Sequence, residues 1–280
     1  MLLSMVIFGT IGLVVREIPL SSPCIALARG IIGLLFICCA AKKKPDFRAM
    51  RRNLPILCAS GVTLGLNWVL LFEAYRFTTV ATATLCYYCA PTLVILGAAL
   101  LLGEKPSGKH IVCAAVTAIG MVLVSGVAEK GNTVSAKGIA FGLAAALFYA
   151  ATVLLNKKLK QISVPDRTIA QLFVSSLVLT PYVAITGMGM GEWSVKATVC
   201  LLTVGIVHTG IAYLLCFGAM EKLPARSFAL LSYLDPVIAV ILSAAVLREP
   251  MGIGGAIGAV LIIGAAAAGE IGNEKKKTGT

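Results

Sequence analysis

Charge is scarce in this chain. Of its 280 residues, 13% are Asp, Glu, Lys or Arg, about half the ~25% of an average soluble domain. That is too little to cover the surface of a soluble two-domain enzyme of this length, and the apolar content excludes a disordered chain. Acid is scarcer than base, with 12 Asp+Glu against 24 Lys+Arg and a net charge of +12. There is no Walker A pattern and no His-Glu-x-x-His pattern, so ATP-driven chemistry by this chain alone and a zincin-type metal site are not expected, and no cofactor is implied. The nine cysteines are odd in number and all fall in apolar runs, which argues against a disulfide framework. Cys86-Tyr87-Tyr88-Cys89 has the C-x-x-C spacing but no basic neighbour or helix N-terminus to acidify a thiol, so packing is its expected role.

What is present is hydrophobicity in long runs. A bilayer-spanning helix needs about 20 apolar residues. Ten candidate runs can be read: Met1–Val15, Pro23–Ala41, Leu54–Tyr75, Thr79–Leu102, Ser107–Val127, Lys137–Leu155, Thr168–Thr186, Ala197–Met220, Ala225–Leu247 and Met251–Gly269. None alternates like a barrel strand. The expected fold class is all-α integral membrane. The first run is short; no Lys or Arg precedes it and no cleavage site follows, so a signal peptide is not expected. Pro19 would end its helix after Ile18.

The loops between these runs divide the basic residues unequally. One side holds 17 of the 24, including Lys42–Lys44, Arg48, Arg51, Arg52, Lys157, Lys158, Lys160 and Lys275–Lys277; the other holds 6. The remaining one, Arg29, lies inside a span. The positive-inside rule makes the richer side cytoplasmic, with both termini inside and the protein multi-pass in the cell membrane. The excess base therefore belongs to the topology and the lipid surface, not to a nucleic-acid partner.

The chain also repeats itself. Displaced by 145 residues, Ser60–Glu104 overlies Gly205–Glu249 without gaps, and eleven positions are identical, among them Gly65/Gly210, Phe72/Phe217, Tyr88/Tyr233, Pro91/Pro236 and Glu104/Glu249. A displacement near 142 places Arg29 over Gln171. Five spans per half means that the second half enters the membrane from the opposite side, an inverted repeat of the kind found in secondary transporters. The expected division is 1–130 and 131–270, each a five-helix repeat, with 271–280 a basic cytoplasmic tail.

The tract Ala74–Ala81, Tyr88, Ala90-Pro91 and Gly103-Glu104-Lys105-Pro106-Ser107, with Arg29 in Leu27-Ala28-Arg29-Gly30, resembles the EamA branch of the drug/metabolite transporter superfamily; Asp235-Pro236 and Arg248-Glu249-Pro250 resemble its second half. The resemblance runs from Phe8 to about Gly269. It implies ten transmembrane helices in two inverted repeats, and export or import of small metabolites by alternating access. It also implies that the fifth and tenth spans stand outside the substrate-binding eight. Where many members carry a Trp-Gly-Ser-Asn-like motif, this chain has Phe8-Gly9-Thr10-Ile11.

Ionisable groups inside hydrocarbon are expensive and are functional candidates by default. Asp235, beside the helix-loosening Pro236, would contact substrate or a coupling ion such as a proton, or pair structurally with Arg29. Arg29 would clamp a carboxylate, or donate to carbonyls, or snorkel. His208 would relay protons or bond between helices. Asn67, Trp68, Tyr88, Tyr213 and Tyr233 are candidate walls of a small-molecule cavity, against the alternative of ordinary packing. The leading expectation is a secondary active exporter of small metabolites such as amino acids, with a small-molecule substrate, a proton or other coupling ion, the bilayer and a second copy as partners. The alternatives are a membrane-embedded enzyme acting on lipid and a channel or scaffold subunit.

Overall fold

A computed structural model describes the chain apart from residues 16, 42–43, 79–82, 84–85, 105–107, 125–134, 188, 190, 247–252 and 271–280; the side chains of 124, 239–240, 243–246, 255 and 269–270 are likewise outside it. The basic tail, Glu249, Arg248 and Lys105 therefore lie outside the described residues. Every described element is helical, as lipid requires of any spanning backbone that does not close into a barrel.

In chain order the helices are α1 (Leu2–Val15), α2 (Ser22–Ala40), α3 (Phe47–Arg52), α4 (Leu54–Phe77), α5 (Ala90–Leu101), α6 (Gly108–Val124), α7 (Ala136–Lys158) and α8 (Val164–Thr186). They continue as α9 (Val195–Thr203), a π-helical segment (Val204–Ile211), α10 (Ala212–Lys222), α11 (Ala225–Ser232), α12 (Leu234–Val246) and α13 (Ile253–Glu270). Local chemistry marks their ends. Pro23, Pro55 and Pro165 sit in the first turns of α2, α4 and α8, where a missing amide donor costs nothing. The Asp46 carboxylate accepts from the Arg48 and Ala49 amides, both at 3.0 Å, to cap α3. Ser163 and Ser194 cap α8 and α9 in the same way. Gly187, at φ 80°, closes α8 with a left-handed residue that carries no Cβ penalty.

Among the described residues, five helices are long and apolar enough to cross a membrane: Ser22–Ala40, Leu54–Phe77, Ala136–Lys158, Val164–Thr186 and the continuous Val195–Lys222. The remaining apolar helices among the described residues are shorter: Leu2–Val15, Ala90–Leu101, Gly108–Leu123 and Ala256–Ala268. The ninth run is two helices, α11 and α12, divided at Tyr233. Pro236 has no amide to give the Ser232 carbonyl and its ring crowds that turn. In the fourth run, Cys86 and Tyr87 are helical, Tyr88 and Cys89 form a turn, and α5 begins at Ala90 with Pro91 in its first turn. Two repeat-related prolines thus interrupt two helices at corresponding places.

Helix packing follows from small residues. α4 packs on α7 and α8, α2 on α8 and the π segment, α1 on α12 and α10, α5 on α7 and α11, and α6 on α13. A Cβ at Gly65 would stand 2.8 Å from the Val178 Cβ, and one at Gly210 2.5 Å from the Phe36 Cδ1. These glycines let α4 meet α8, and the π segment meet α2, at backbone distance. The sequence reading placed all nine cysteines inside the packing. All are free, but Cys38, Cys39 and Cys89 are exposed.

Candidate functional site

The helices enclose a cavity of about 570 Å³. Five of the sequence candidates line it: Arg29 from α2, Trp68 from α4, Tyr88 from the break before α5, Tyr213 from α10 and Asp235 from the first turn of α12. Aromatic rings make up much of the wall. Trp68, Tyr213, Phe8 and Phe217 form a run of edge-on contacts, with Tyr213 at 6.3, 5.6 and 5.3 Å from the other three. Tyr87 packs edge-on against Tyr88 and Tyr149, both at 5.8 Å. This geometry, rings meeting edge to face, is the favoured one.

Two charges face this wall. The Arg29 guanidinium lies over the Trp68 ring at 4.5 Å, and its Nε is buried without a hydrogen-bond partner. Asp235 accepts a long hydrogen bond from the Tyr88 hydroxyl, 3.4 Å. No ion pair joins Arg29 to Asp235 among the described residues, so the pairing weighed from sequence is not what holds either one. Arg29 also donates to no described carbonyl. Its repeat mate behaves oppositely: Gln171 is fully buried and donates to Ser60 Oγ at 2.7 Å and Asn156 Oδ1 at 3.0 Å.

The other three candidates stand behind the wall. Asn67 donates to the Ala145 carbonyl at 2.8 Å and locks α4 to α7. The Tyr233 hydroxyl shares a hydrogen bond with Thr92 at 3.0 Å. His208, on the π segment, bonds Thr10 Oγ1 at 2.9 Å and is 3.3 Å from the Thr203 carbonyl. The Thr10 bond joins the π segment to α1. Thr10→Val should therefore cost only ~0.6 kcal/mol, the average for such bonds in a membrane. It should lower the melting midpoint slightly and leave substrate affinity unchanged in a binding titration. Sequence reasoning missed Tyr87, Tyr149, Tyr75, Thr152 and Ser232, all of which line the cavity. The Pro236 signal pointed to Ser232; nothing in the pattern pointed to the others.

The cavity is closed unevenly. It reaches Val15, Ser22 and Tyr75, where α1 ends, α2 begins and α4 ends. At the opposite end polar contacts bind the helices together. Arg167 donates to the Phe217 carbonyl and pairs with Glu221 at 3.2 Å. Lys157 donates to the Leu223 carbonyl. Both Glu104 carboxylate oxygens accept from the Ala225 amide, at 3.1 and 3.0 Å, so this glutamate caps α11 as a helix-end acid should.

The model of the EamA-like transporter family matches residues 1–126 and 136–268. The chain belongs to the EamA-like transporter family. Among its relatives, "Uncharacterized transporter YxxF" of Bacillus subtilis (strain 168) is 31% identical over 252 residues, 86% of this chain and 79% of that protein. A "Probable terminal-alkyne amino-acid exporter" of Streptantibioticus cattleyicolor is 24% identical over 258 residues, 90% of this chain and 82% of that one. A crystal structure sharing 19% identity superposes with a TM-score of 0.85 over 98% of this chain and 96% of the other, a likeness of fold. Membership in this EamA-like family, with several apolar helices, makes the chain a membrane protein of a transporter family.

Proposed function

We propose that this EamA-like protein is a secondary active transporter of small zwitterionic metabolites with an apolar body, amino acids above all, and that it exports them by alternating access. One observation carries the reading: within a single aromatic-walled cavity, a guanidinium and a carboxylate both face the lumen, and neither is used by the other. A substrate carboxylate suits Arg29, whose planar donors match two oxygens at once. A substrate ammonium suits Asp235, and the rings between suit an apolar side chain. The exporter of terminal-alkyne amino acids among the relatives is consistent with this chemistry. Asp235 would exchange its substrate amine for a proton from the far side, which would couple the two fluxes.

The alternating movement rests on the repeat. If α1, α2, α4, α5 and α6 correspond to α7, α8, the α9–α10 span, α11–α12 and α13, the packing pairs exchange. α4 on α8 becomes the π segment on α2, and α1 on α12 becomes α7 on α5; α2 on α8, α5 on α11 and α6 on α13 map onto themselves. Side chains follow. Thr63 bonds Thr152 at 2.8 Å, while His208, the mate of Thr63, bonds Thr10 at 2.9 Å; Thr10 and Thr152 are themselves 142 apart. This supports ten helices as two inverted five-helix units, 1–130 and 131–270. With the basic-rich face cytoplasmic and both termini inside the cell membrane, the cavity reaches outward, and the contacts of Arg167, Lys157 and Glu104 close the inner end.

The test is discrimination in proteoliposomes. Counterflow of a labelled apolar amino acid is compared with that of the amine lacking its carboxylate. Charge-assisted hydrogen bonds contribute ~1.5–3 kcal/mol, so Arg29→Gln should reduce the preference for the amino acid by about tenfold or more. An unchanged ratio would exclude Arg29 as the carboxylate site.

A further inference from the structure

A second depression lies on the outside of the bundle, between α5 and α7, with a volume of about 430 Å³. We infer that this trench binds one anionic phospholipid, its acyl chain lying along the two helices and its phosphate at Lys158. The site is separate from the transport cavity, and the inference does not depend on the transport reading.

The trench follows from residue spacing. On α7 it is lined at Leu147, Ala150, Ala151, Leu154, Leu155 and Lys158, one face of a helix at three- and four-residue steps. Small residues, Gly97 on α5 with Ala150 and Ala151 on α7, leave room in its floor. A Cβ at Gly97 would stand 2.4 Å from Leu154 Cδ1, so the helices draw close there and the hollow is bounded. Leu100 and Leu147 rise as its outer walls, 84% and 59% exposed. From Leu147 to Lys158 the helix climbs ~16 Å at ~1.5 Å per residue, close to half of a ~30 Å hydrocarbon core. The trench is thus about one leaflet deep, apolar along its length and cationic at its mouth.

Lys158 is the charged residue in this lining, and no carboxylate pairs with it among the described residues. Its neighbour Lys157 is turned inward to the Leu223 carbonyl, so adjacent lysines have different tasks. Lys160, two residues on, is also exposed. A second copy of the chain would cover the leucines but meet this cation with none of the lining's own chemistry. A free phosphate would find one lysine and no ring of amides. A lipid with a net negative headgroup satisfies both ends at once.

The experiment is native mass spectrometry of the full chain from mixed micelles of equimolar phosphatidylglycerol and phosphatidylcholine. A surface lysine contributes ~1 kcal/mol toward anionic lipid, so one retained phosphatidylglycerol with about fivefold preference is expected. Lys158→Gln should bring the preference near unity and Lys158→Arg should restore it. Ala151→Phe should fill the trench and release both lipids, whereas Lys222→Gln should change nothing. Excess inorganic phosphate should not displace the lipid. Equal retention of the two lipids by the unaltered chain, persistence of the preference in Lys158→Gln, displacement by phosphate, or a lipid-free dimer mass would each overturn the assignment. Lys158 ends its helix at the surface, so its variants stay folded and the comparison remains decisive.

Discussion

Asp235→Asn should reduce transport in proteoliposomes by about a hundredfold while leaving the protein as stable as before, or more so. The two directions come from one cause. A carboxylate within a span is held there at a cost of ~2.5–3.5 kcal/mol on insertion scales, and what it receives in return here is slight: a 3.4 Å bond from Tyr88. Asparagine is nearly isosteric, can still accept from Tyr88, and removes the charge. A residue whose removal stabilises the fold and ends the activity is being kept for function. The measurements are a thermal melt in detergent and counterflow in vesicles at matched protein density. Counterflow at the unaltered rate would dismiss Asp235 as substrate or coupling site. A falling melt with intact counterflow would make it a packing residue.

Gly65→Val should leave almost no folded protein in the membrane. Its Cβ would lie 2.8 Å from the Val178 Cβ and 3.1 Å from the Ser175 carbonyl oxygen, and α8 is held in place on its other side by α2. Overpacking ordinarily costs ~1–3 kcal/mol through local shifts; here backbone would have to move. Gly65→Ala should fold at reduced yield, and Val178→Ala should recover most of that loss, because the double change removes the clash. The same logic at the repeat mate predicts that Gly210→Ala is relieved by Phe36→Leu, since a Cβ at Gly210 would meet Phe36 at 2.5 Å. Size-exclusion yield and the melting midpoint are sufficient readouts. Wild-type yield for Gly65→Val would show that α4 and α8 separate more readily than their spacing allows.

Much of the site was legible before any coordinates. Arg29 and Asp235 stand out because hydrocarbon tolerates so few charges, and Trp68, Tyr88 and Tyr213 because aromatic pairs recurred at the repeat spacing. All five line the cavity. Pro236 marked the interruption of its own run by its missing amide, whereas the corresponding break before Pro91 was not expected from the sequence. His208, Asn67 and Tyr233 follow from the same rules, and in the structure they bond Thr10, the Ala145 carbonyl and Thr92. Polarity inside a span says that a partner exists; it does not say whether the partner is substrate or another helix.

The sequence by itself determined the solvent, the all-helical backbone, the repeat and the small set of charges that needed a reason. Only the tertiary structure decided which face of each helix looks inward. In a soluble helix the apolar stripe marks the buried side, but here lipid and core are equally apolar, and the stripe disappears. Tyr87 and Tyr149 line the cavity and Leu100 faces outward because of how α4, α5 and α7 pack together. That packing is set by glycines and hydrogen bonds between residues far apart in the chain, not by any pattern local to them.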